Sequence, residues 1–204
     1  MPSTKANCSL LCIRTRIPKD YQRQPIISRL ISRYGLTVNI AAALLGNYSH
    51  NYGWLDLELQ GSPEQVAASL AYLQALNIEV FQLTLKNLLK ARIKKSQRGI
   101  TDEIDVPIQP IQAITEDEPE NDLIGEAGQT TQTKIQVCVP HRYRVQPVIS
   151  ALVSRYRLTT NITNALLSAD AEDDGWFDLE LWGRRTQMLL GLKYLEQLGL
   201  QIWL

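Results

Sequence analysis

Two carboxylates stand two residues apart at Asp56 and Glu58, and the same pair recurs at Asp178 and Glu180. Residues two apart on a β-strand point to the same face of the sheet, and paired carboxylates on one face can act as a catalytic pair in a hydrolase. The surrounding residues supply no nucleophile, general base or metal ligand at a fitting spacing. We therefore interpret these carboxylates as solvated side chains and expect no catalytic residues and no enzyme.

The histidines and cysteines also lack the spacing of a site. Cys8, Cys12 and Cys138 contain no Cys-x-x-Cys pair and no Cys/His cluster, and they are too few for a disulfide framework. His50 and His141 fall at non-equivalent places in the repeat described below. We expect reduced thiols, no metal site and no cofactor, which excludes iron–sulfur clusters as well.

The composition of the whole chain is that of a globular protein. The sequence has 204 residues, of which 45% are hydrophobic, and its 21 basic residues balance its 21 acidic ones. This balance removes the overall positive field that is typical of a nucleic-acid-binding protein. We find no signal peptide at the N-terminus and no apolar run of the roughly 18 residues that a transmembrane segment needs. We expect a cytoplasmic protein that binds no nucleic acid.

One repeat organises the sequence. Aligned with itself at an offset of 122 positions, the chain matches residues 13–81 to residues 135–203 with 30 identities in 69 positions and no gap. The identities include Pro25, Ile27, Ser28, Leu30, Arg33, Tyr34, Asn39 and Ile40, which recur as Pro147, Ile149, Ser150, Leu152, Arg155, Tyr156, Asn161 and Ile162. We therefore predict two copies of one domain, at residues 9–84 and 134–204, joined by residues 85–133.

The joining segment separates its charges. The charged residues of its first part are all basic, namely Lys86, Lys90, Arg92, Lys94, Lys95 and Arg98. The charged residues of positions 102–126 are all acidic. The apolar spacing in the first part predicts a basic amphipathic helix, and the prolines and glycines of the second predict a flexible acidic linker. The segment is interpreted as a solvated connector, or alternatively as a contact for a protein partner or a membrane surface through the basic helix.

Hydrophobic periodicity predicts the elements within one copy. In the first copy we expect strands at residues 9–16, 36–45, 54–60 and 78–83, a helix from Pro25 to Tyr34 and a second helix at 63–76. This order of strand, helix, strand, strand, helix, strand is typical of the ferredoxin-like βαββαβ arrangement. The predicted fold class is α+β, with two ferredoxin-like domains in tandem, each a four-stranded antiparallel sheet with both helices on one face.

The alternation of side chains along a strand predicts which residues face the uncovered side of each sheet. Leu55, Leu57 and Leu59 are expected beneath the helices, and Trp54, Asp56, Glu58 and Gln60 on the open side. On the neighbouring strand we expect Val38, Ile40, Ala42 and Leu44 in the core. The open side then receives Thr37, Asn39, Ala41 and Ala43, and in the second copy Thr159, Asn161, Thr163 and Ala165. An Asn amide offers a donor and an acceptor to an amino-acid ligand, although it could equally make a turn or main-chain bond.

Three motifs that occur in both copies resemble the NIL domain. They are Tyr-x-x-x-Pro-x-Ile-Ser, then Arg-Tyr-x-Leu-Thr-x-Asn-Ile, then Gly-Trp-x-Asp-Leu-Glu-Leu-x-Gly. The third residue of the Asn-Ile-Leu triplet differs, being Ala41 or Thr163. The resemblance implies a ferredoxin-like domain that pairs with a second copy and, in the ATP-binding subunit of bacterial methionine importers, binds methionine to restrain transport. The chain lacks the phosphate-binding loop of such an ATPase. The ligand contacts that the resemblance implies are Asn39, Ile40, Gly53, Trp54, Asn161, Ile162, Gly175 and Trp176.

Two functions are compatible with these observations. The first is a non-enzymatic regulatory or sensor protein that binds a small, methionine-like amino acid at paired NIL domains, with the pair formed inside one chain or in a homodimer. The second is a protein-interaction or assembly module that uses the sheet faces and the basic helix and binds no small ligand. We expect pairing through the sheet to cover Trp54, Trp176 and Trp182, because these large apolar side chains are costly to leave in water.

Overall fold

The computed structural model describes residues 8–49, 51–83, 130–168 and 173–204. The first copy consists of β1 (Ser9–Pro18), α1 (Ile26–Tyr34), β2 (Thr37–Leu45), β3 (Tyr52–Gly61), α2 (Pro63–Ala75) and β4 (Glu79–Gln82). The second consists of β5 (Thr130–Val139), α3 (Val148–Ser154), β6 (Thr159–Leu167), β7 (Gly175–Arg184), α4 (Arg185–Gln197) and β8 (Gln201–Trp203). The predicted α+β order is thus confirmed in both copies. The predicted basic helix and the acidic residues that follow it lie outside the described residues, and β5 begins at Thr130, within the range predicted as linker.

The strands of both copies form one sheet. Its order is β4-β1-β3-β2-β6-β7-β5-β8, so each copy contributes a four-stranded half and β2 meets β6 in the middle. That junction is short and antiparallel, pairing Ala43 with Leu167 and Leu45 with Ala165. The copies therefore join edge to edge. The expectation that pairing would cover Trp54, Trp176 and Trp182 is wrong, because the copies meet through the edges of their half-sheets and not through the faces that carry these side chains.

The helices cover one face of the sheet and bury the hydrophobic core against it. Leu55, Leu57 and Leu59 all point into this core, as their alternation predicted, and pack there with the helix residues Leu30 and Leu73. Burial of a Leu side chain stabilises a fold by about 1.5–3 kcal/mol. The opposite face, which we call the open face, carries Trp54, Asp56 and Glu58.

A β-bulge changes the faces in the second half of β2 and of β6. The pairing of β2 with β3 shifts between Ile40 and Ala42, and the pairing of β6 with β7 shifts between Ile162 and Asn164. A bulge inserts one unpaired residue, so every later side chain changes face. Ala43 and Ala165 are therefore buried in the core, Leu44 is 37% exposed and Ala42 lies on the open face beside Asp56, which makes the predicted faces of these four residues wrong.

Beyond the short junction, each central strand is covered by the first helix of the other copy. Ser28 of α1 donates its hydroxyl hydrogen to the carbonyl oxygen of Thr160 at 2.9 Å and accepts from the Thr160 N–H at 2.7 Å. Ser150 of α3 does the same for Val38, at 2.9 and 2.7 Å. These bonds satisfy main-chain groups of β2 and β6 that have no strand beside them. We call the junction of β2 and β6, together with these two helix contacts, the seam.

A glycine allows close approach at one end of the seam. Gly46 follows β2 with φ of +70°, and a β-carbon there would overlap the Asn164 side chain and the main-chain carbonyl oxygen of Thr163. The neighbouring N–H of Asn47 donates to Asn164 Oδ1 at 2.8 Å. The turn after β2 is therefore fitted against β6.

No helix in the described parts of the chain is long and apolar enough to cross a membrane.

Candidate functional site

Two small cavities lie at the seam, and each is built from both copies. The Asn39 cavity measures about 30 Å³ and the Asn161 cavity about 20 Å³. Residues 38–40 of β2 form one wall of the first, opposite Tyr143, Arg144 and the start of α3. The second is lined by residues 160–162 of β6, Tyr21, Gln22 and the start of α1, at the repeat offset of 122. The internal repeat therefore produces two pseudo-equivalent sites.

The two asparagines connect the copies. Asn39 is only 8% exposed, and its Nδ2 donates to the main-chain oxygen of Arg144 at 2.9 Å and to Glu58 Oε2 at 3.0 Å. Asn161 is 2% exposed, and its Nδ2 donates to the main-chain oxygen of Gln22 at 3.4 Å. Each amide thus makes a main-chain bond, the alternative that the sequence left open, and makes it to the other copy. The side-chain oxygen of each Asn is the group that a ligand could use.

The walls and size of the cavities restrict what they hold in this conformation. Apart from Asn39 and the polar residues of the loop before α3, the Asn39 cavity is lined by aliphatic and aromatic side chains, among them Val139, Ile149, Leu167 and Phe177. A volume of about 30 Å³ holds roughly two water molecules. A molecule of amino-acid size requires the start of α3 to move away from β2.

The predicted glycines lie behind the cavity walls. A β-carbon at Gly175 would come within 2.8 Å of Leu167, which lines the Asn39 cavity. A β-carbon at Gly53 would overlap Leu45, which lines the Asn161 cavity. The Asn and the Ile of one copy line each cavity directly, as Asn39 with Ile40 or Asn161 with Ile162. The Gly of the other copy lies behind the wall of the same cavity.

The structure does not bring the predicted tryptophans to the cavities. Trp54 lies beside Phe81 on the open face in a tilted arrangement with ring centroids 6.3 Å apart, and Trp176 stacks on Trp203 at 5.4 Å. Trp176 remains 38% exposed. Six of the eight predicted site residues thus gather at the seam, and the two tryptophans lie elsewhere, each beside the last strand of its own copy.

The carboxylates of β3 and β7 are bonded to their neighbours. Asp56 is 5% exposed and accepts from Arg14 Nε at 2.7 Å and from Arg14 Nη2 at 2.8 Å, which raises the pKa of Arg14 above its ordinary value. Asp178 accepts from Gln136 Nε2 at 2.9 Å and from Asn164 Nδ2 at 2.7 Å. Our interpretation of Asp56 as a solvated side chain is wrong, because an arginine on the next strand pairs with it.

The cysteines are free, and they differ in exposure. Cys8 is exposed, whereas Cys12 and Cys138 are buried. Burial, with a smaller effect of the Asp174 carboxylate, raises the pKa of the Cys138 thiol. Among the described residues, no three His, Cys, Asp or Glu side chains cluster in a way that could hold a metal ion. His50 lies outside the described residues.

Sequence reasoning overlooked Ser28 and Ser150 as residues that hold the seam. Their signal was present, because an Ile-Ser pair recurs in both copies on the face of the first helix that is otherwise apolar. A small polar residue repeated on a buried helix face needs a buried partner. That partner is the strand of the other copy.

The sequence model of the NIL domain matches residues 11–81 and 133–203, well over half of the chain. The chain belongs to the NIL domain family. A relative of this tandem NIL protein, an uncharacterized protein of Synechococcus elongatus, is 38% identical over 74 residues, which are 36% of this chain and 91% of the relative. An uncharacterized protein of Synechocystis is 41% identical over 64 residues, which are 31% of this chain and 65% of that protein. The chain thus spans slightly less than two thirds of the second relative.

Two of the solved structures that match the tandem NIL chain are remotely similar to it. A protein assigned as a transcriptional repressor of the glycine cleavage system matches 97% of this chain and 96% of its own at 10% identity, with a TM-score of 0.30. The small subunit of acetolactate synthase from Thermotoga maritima matches 96% of this chain and 92% of its own at 12% identity, with a TM-score of 0.27. Such TM-scores support no inference about function.

Proposed function

We propose that this tandem NIL protein is a non-enzymatic regulatory sensor that binds a small, methionine-like amino acid at the seam between its two NIL domains. The domains, at residues 9–84 and 134–204, pair within one chain, and the protein works in the cytoplasm. The observation that carries the proposal is the pair of pseudo-equivalent cavities, each of which takes one wall from each copy.

The groups around each cavity suit an amino acid. The Asn39 side-chain oxygen and the nearby Arg144 main-chain oxygen are acceptors for a ligand ammonium. Val139, Leu167 and Phe177 offer an apolar surface for a thioether or aliphatic side chain. The Asn161 cavity offers the same combination with Leu45 and Leu55.

Binding at this place is coupled to the contact between the copies. Because the cavities hold only about one or two water molecules in this conformation, a ligand of amino-acid size is accommodated when α3 moves away from β2, or α1 from β6. The ligand-free and ligand-bound proteins therefore differ in the geometry of the seam. A change of this kind, driven by differential affinity for the two arrangements, is what a regulatory domain needs in order to report on a ligand.

Thermal unfolding against a panel of the protein amino acids and S-adenosyl compounds at millimolar concentration tests the proposal. A ligand present at 100 times its Kd adds about 2.7 kcal/mol to the free energy of unfolding, which raises Tm by several degrees. We expect the rise with methionine or a close relative.

The test variant is Asn39→Ala with Asn161→Ala, and its matched control is Ser32→Ala, at an exposed position of α1. The double Asn variant should remain folded and lose the ligand-dependent rise in Tm, whereas Ser32→Ala should keep it. A ligand-dependent rise that survives in the double Asn variant contradicts the site. The absence of any rise across the panel contradicts the sensor function.

One observation favours an assembly module as the second candidate. The open face exposes a row of large apolar side chains that crosses the seam, namely Phe81, Leu44, Leu166, Trp176 and Trp203. Exposed apolar patches of this kind often mark protein contacts. A pull-down with the intact chain, compared with a variant in which Lys86, Lys90, Lys94 and Lys95 are neutralised, tests this candidate: a stable partner lost in the variant supports it, and no partner excludes it.

A further inference from the structure

A third hollow lies on the open face beside the seam and differs from the two cavities in size and lining. It measures about 280 Å³, just below the roughly 300–1,000 Å³ typical of small-molecule sites. It is lined by Arg14, Ala42, Leu44, Trp54 and Asp56, and also by Ala43 and by Leu167 of the second copy. Neither Asn39 nor Asn161 reaches it.

The two copies differ at a position that lines the hollow. Ala42 of the first copy corresponds to Asn164 of the second, at the offset of 122. The Asn164 side chain donates to Asp178 at 2.7 Å and accepts from the Asn47 N–H at 2.8 Å. In the second copy an amide thus occupies the place that a methyl group leaves open in the first.

The polar wall of the hollow presents a balanced pair of charges. Arg14 uses Nε and Nη2 to bind Asp56, while its side chain remains 47% exposed. Nη1 therefore has its two hydrogens available for a ligand carboxylate, and Arg is well suited to that contact. The position equivalent to Arg14 is Gln136, which lacks the positive charge. Asp56, which also lines the hollow, favours a ligand that also carries an ammonium group.

The remaining wall is apolar. Trp54 and Leu44 of the first copy also line the hollow, and Leu167 contributes from the second copy. An indole beside an aliphatic residue takes up an apolar or aromatic side chain. A ligand with a single net charge would upset the neutral Arg14–Asp56 pair, whereas a zwitterion matches both of its charges.

We propose that this hollow binds one free α-amino acid with an apolar or aromatic side chain per chain, with the ligand carboxylate on Arg14, the ammonium toward the Asp56 side and the side chain on Trp54. The site is additional to the seam cavities and does not depend on them. Its occupant meets the first copy chiefly, so the two halves of the protein have different ligand capacity.

Isothermal titration calorimetry with L-phenylalanine, L-leucine and L-methionine tests the site, with phenethylamine and 3-phenylpropionate as analogues that carry one charge each. We expect binding of at least one of the three amino acids and at least about tenfold weaker binding of the corresponding single-charge analogues. Ala42→Asn, which copies the second half of the chain, should weaken the binding by at least about tenfold, and Arg14→Gln should also weaken it. In the double variant Asn39→Ala with Asn161→Ala, the binding of L-phenylalanine to the hollow should be unchanged, whereas binding of L-methionine at the seam should be lost.

Each other outcome overturns the site. Unchanged affinity in Ala42→Asn shows that the ligand does not occupy the hollow. Loss of binding in the double Asn variant, with Ala42→Asn unaffected, places the ligand at the seam and supports the proposed function instead. No binding of any of the three amino acids at millimolar concentration also excludes the site. Because Asn and Gln stand at the equivalent positions in the second copy, both variants are expected to fold, and circular dichroism checks this.

Discussion

The hydroxyl of Ser28 bonds to both main-chain groups of Thr160, a residue of the other copy 132 positions along the chain. Both residues are buried. One serine therefore does the work of two inter-strand hydrogen bonds at a place where a helix, rather than a strand, lies beside β6.

Replacing this serine should destabilise the seam. In Ser28→Ala the N–H and C=O of Thr160 stay buried without these bonds, which costs about 1–3 kcal/mol for each group that finds no other partner. Ser150→Ala should have a similar effect through Val38. Urea denaturation measures the loss, with the exposed Ser32→Ala as the matched control, for which we expect a change within about 0.5 kcal/mol. Equal stability of Ser28→Ala and Ser32→Ala would show that the hydroxyl contributes nothing.

Gly46→Ala should be more harmful than an ordinary glycine substitution. Its φ of +70° disfavours a side chain, and the new β-carbon would overlap the main-chain oxygen of Thr163, which cannot rotate away. We expect a loss of at least about 2 kcal/mol in the free energy of unfolding, from strain and from displacement of the turn. Gly199→Ala is the control, because it has a similar φ of +69° but its β-carbon would meet only the end of the Arg142 side chain at 3.5 Å. A similar loss in both variants would attribute the effect to backbone strain alone.

The two seam asparagines should differ in their contribution to stability. Asn39 donates at 2.9 and 3.0 Å, whereas the bond of Asn161 is 3.4 Å long. Asn39→Ala should therefore cost about 1–2 kcal/mol and Asn161→Ala less. Urea denaturation of the two single variants checks the order. The reverse order would mean that the Asn161 amide contributes more to the stability of the seam than the length of its hydrogen bond indicates.

The reactivity of the three thiols should follow their burial, and the Cys138 thiol should make the stability of the protein depend on pH in the alkaline range. In the native protein Cys8 should react with a thiol reagent first, and Cys12 and Cys138 only on unfolding. Because burial raises the pKa of Cys138, the folded protein keeps this proton more tightly than the unfolded chain does. The resulting stability is complete below the unfolded pKa of about 8.5 and is lost as pH rises through the higher folded pKa.

A pH series of urea denaturation checks that sign. The free energy of unfolding of the unaltered protein should fall relative to that of Cys138→Ala above about pH 8.5. A constant difference between the two proteins across this range would contradict the raised pKa.

Much of one copy could be read from the sequence, because the helices and strands follow the spacing of apolar residues. The predicted second helix, at residues 63–76, agrees with α2 at Pro63–Ala75, and the faces of Leu55, Leu57 and Leu59 were correct. The bulge after Ile40 was not predictable, because an unpaired residue leaves no mark on the pattern of apolar residues. It reversed the faces of Ala43 and Leu44.

The seam itself also escaped sequence reasoning. The main-chain groups at a strand edge are the same whether a solvent molecule, a helix or another strand lies beside them. The pairing of Ala43 with Leu167 could therefore not be predicted from either segment alone. For the same reason the sequence singled out Asn39 and Asn161 but not the loops of the other copy that they contact. A site made by two copies requires knowledge of how the copies meet.

The seam joins two halves of a single polypeptide, and this frees each half to change separately. In a dimer of identical subunits, any substitution appears on both sides of the symmetry axis, so a gain at one site is imposed on the other. Here Ala42 in the first copy corresponds to Asn164 in the second, and Arg14 corresponds to Gln136. Two copies on one chain let one half change while the other keeps its own residues.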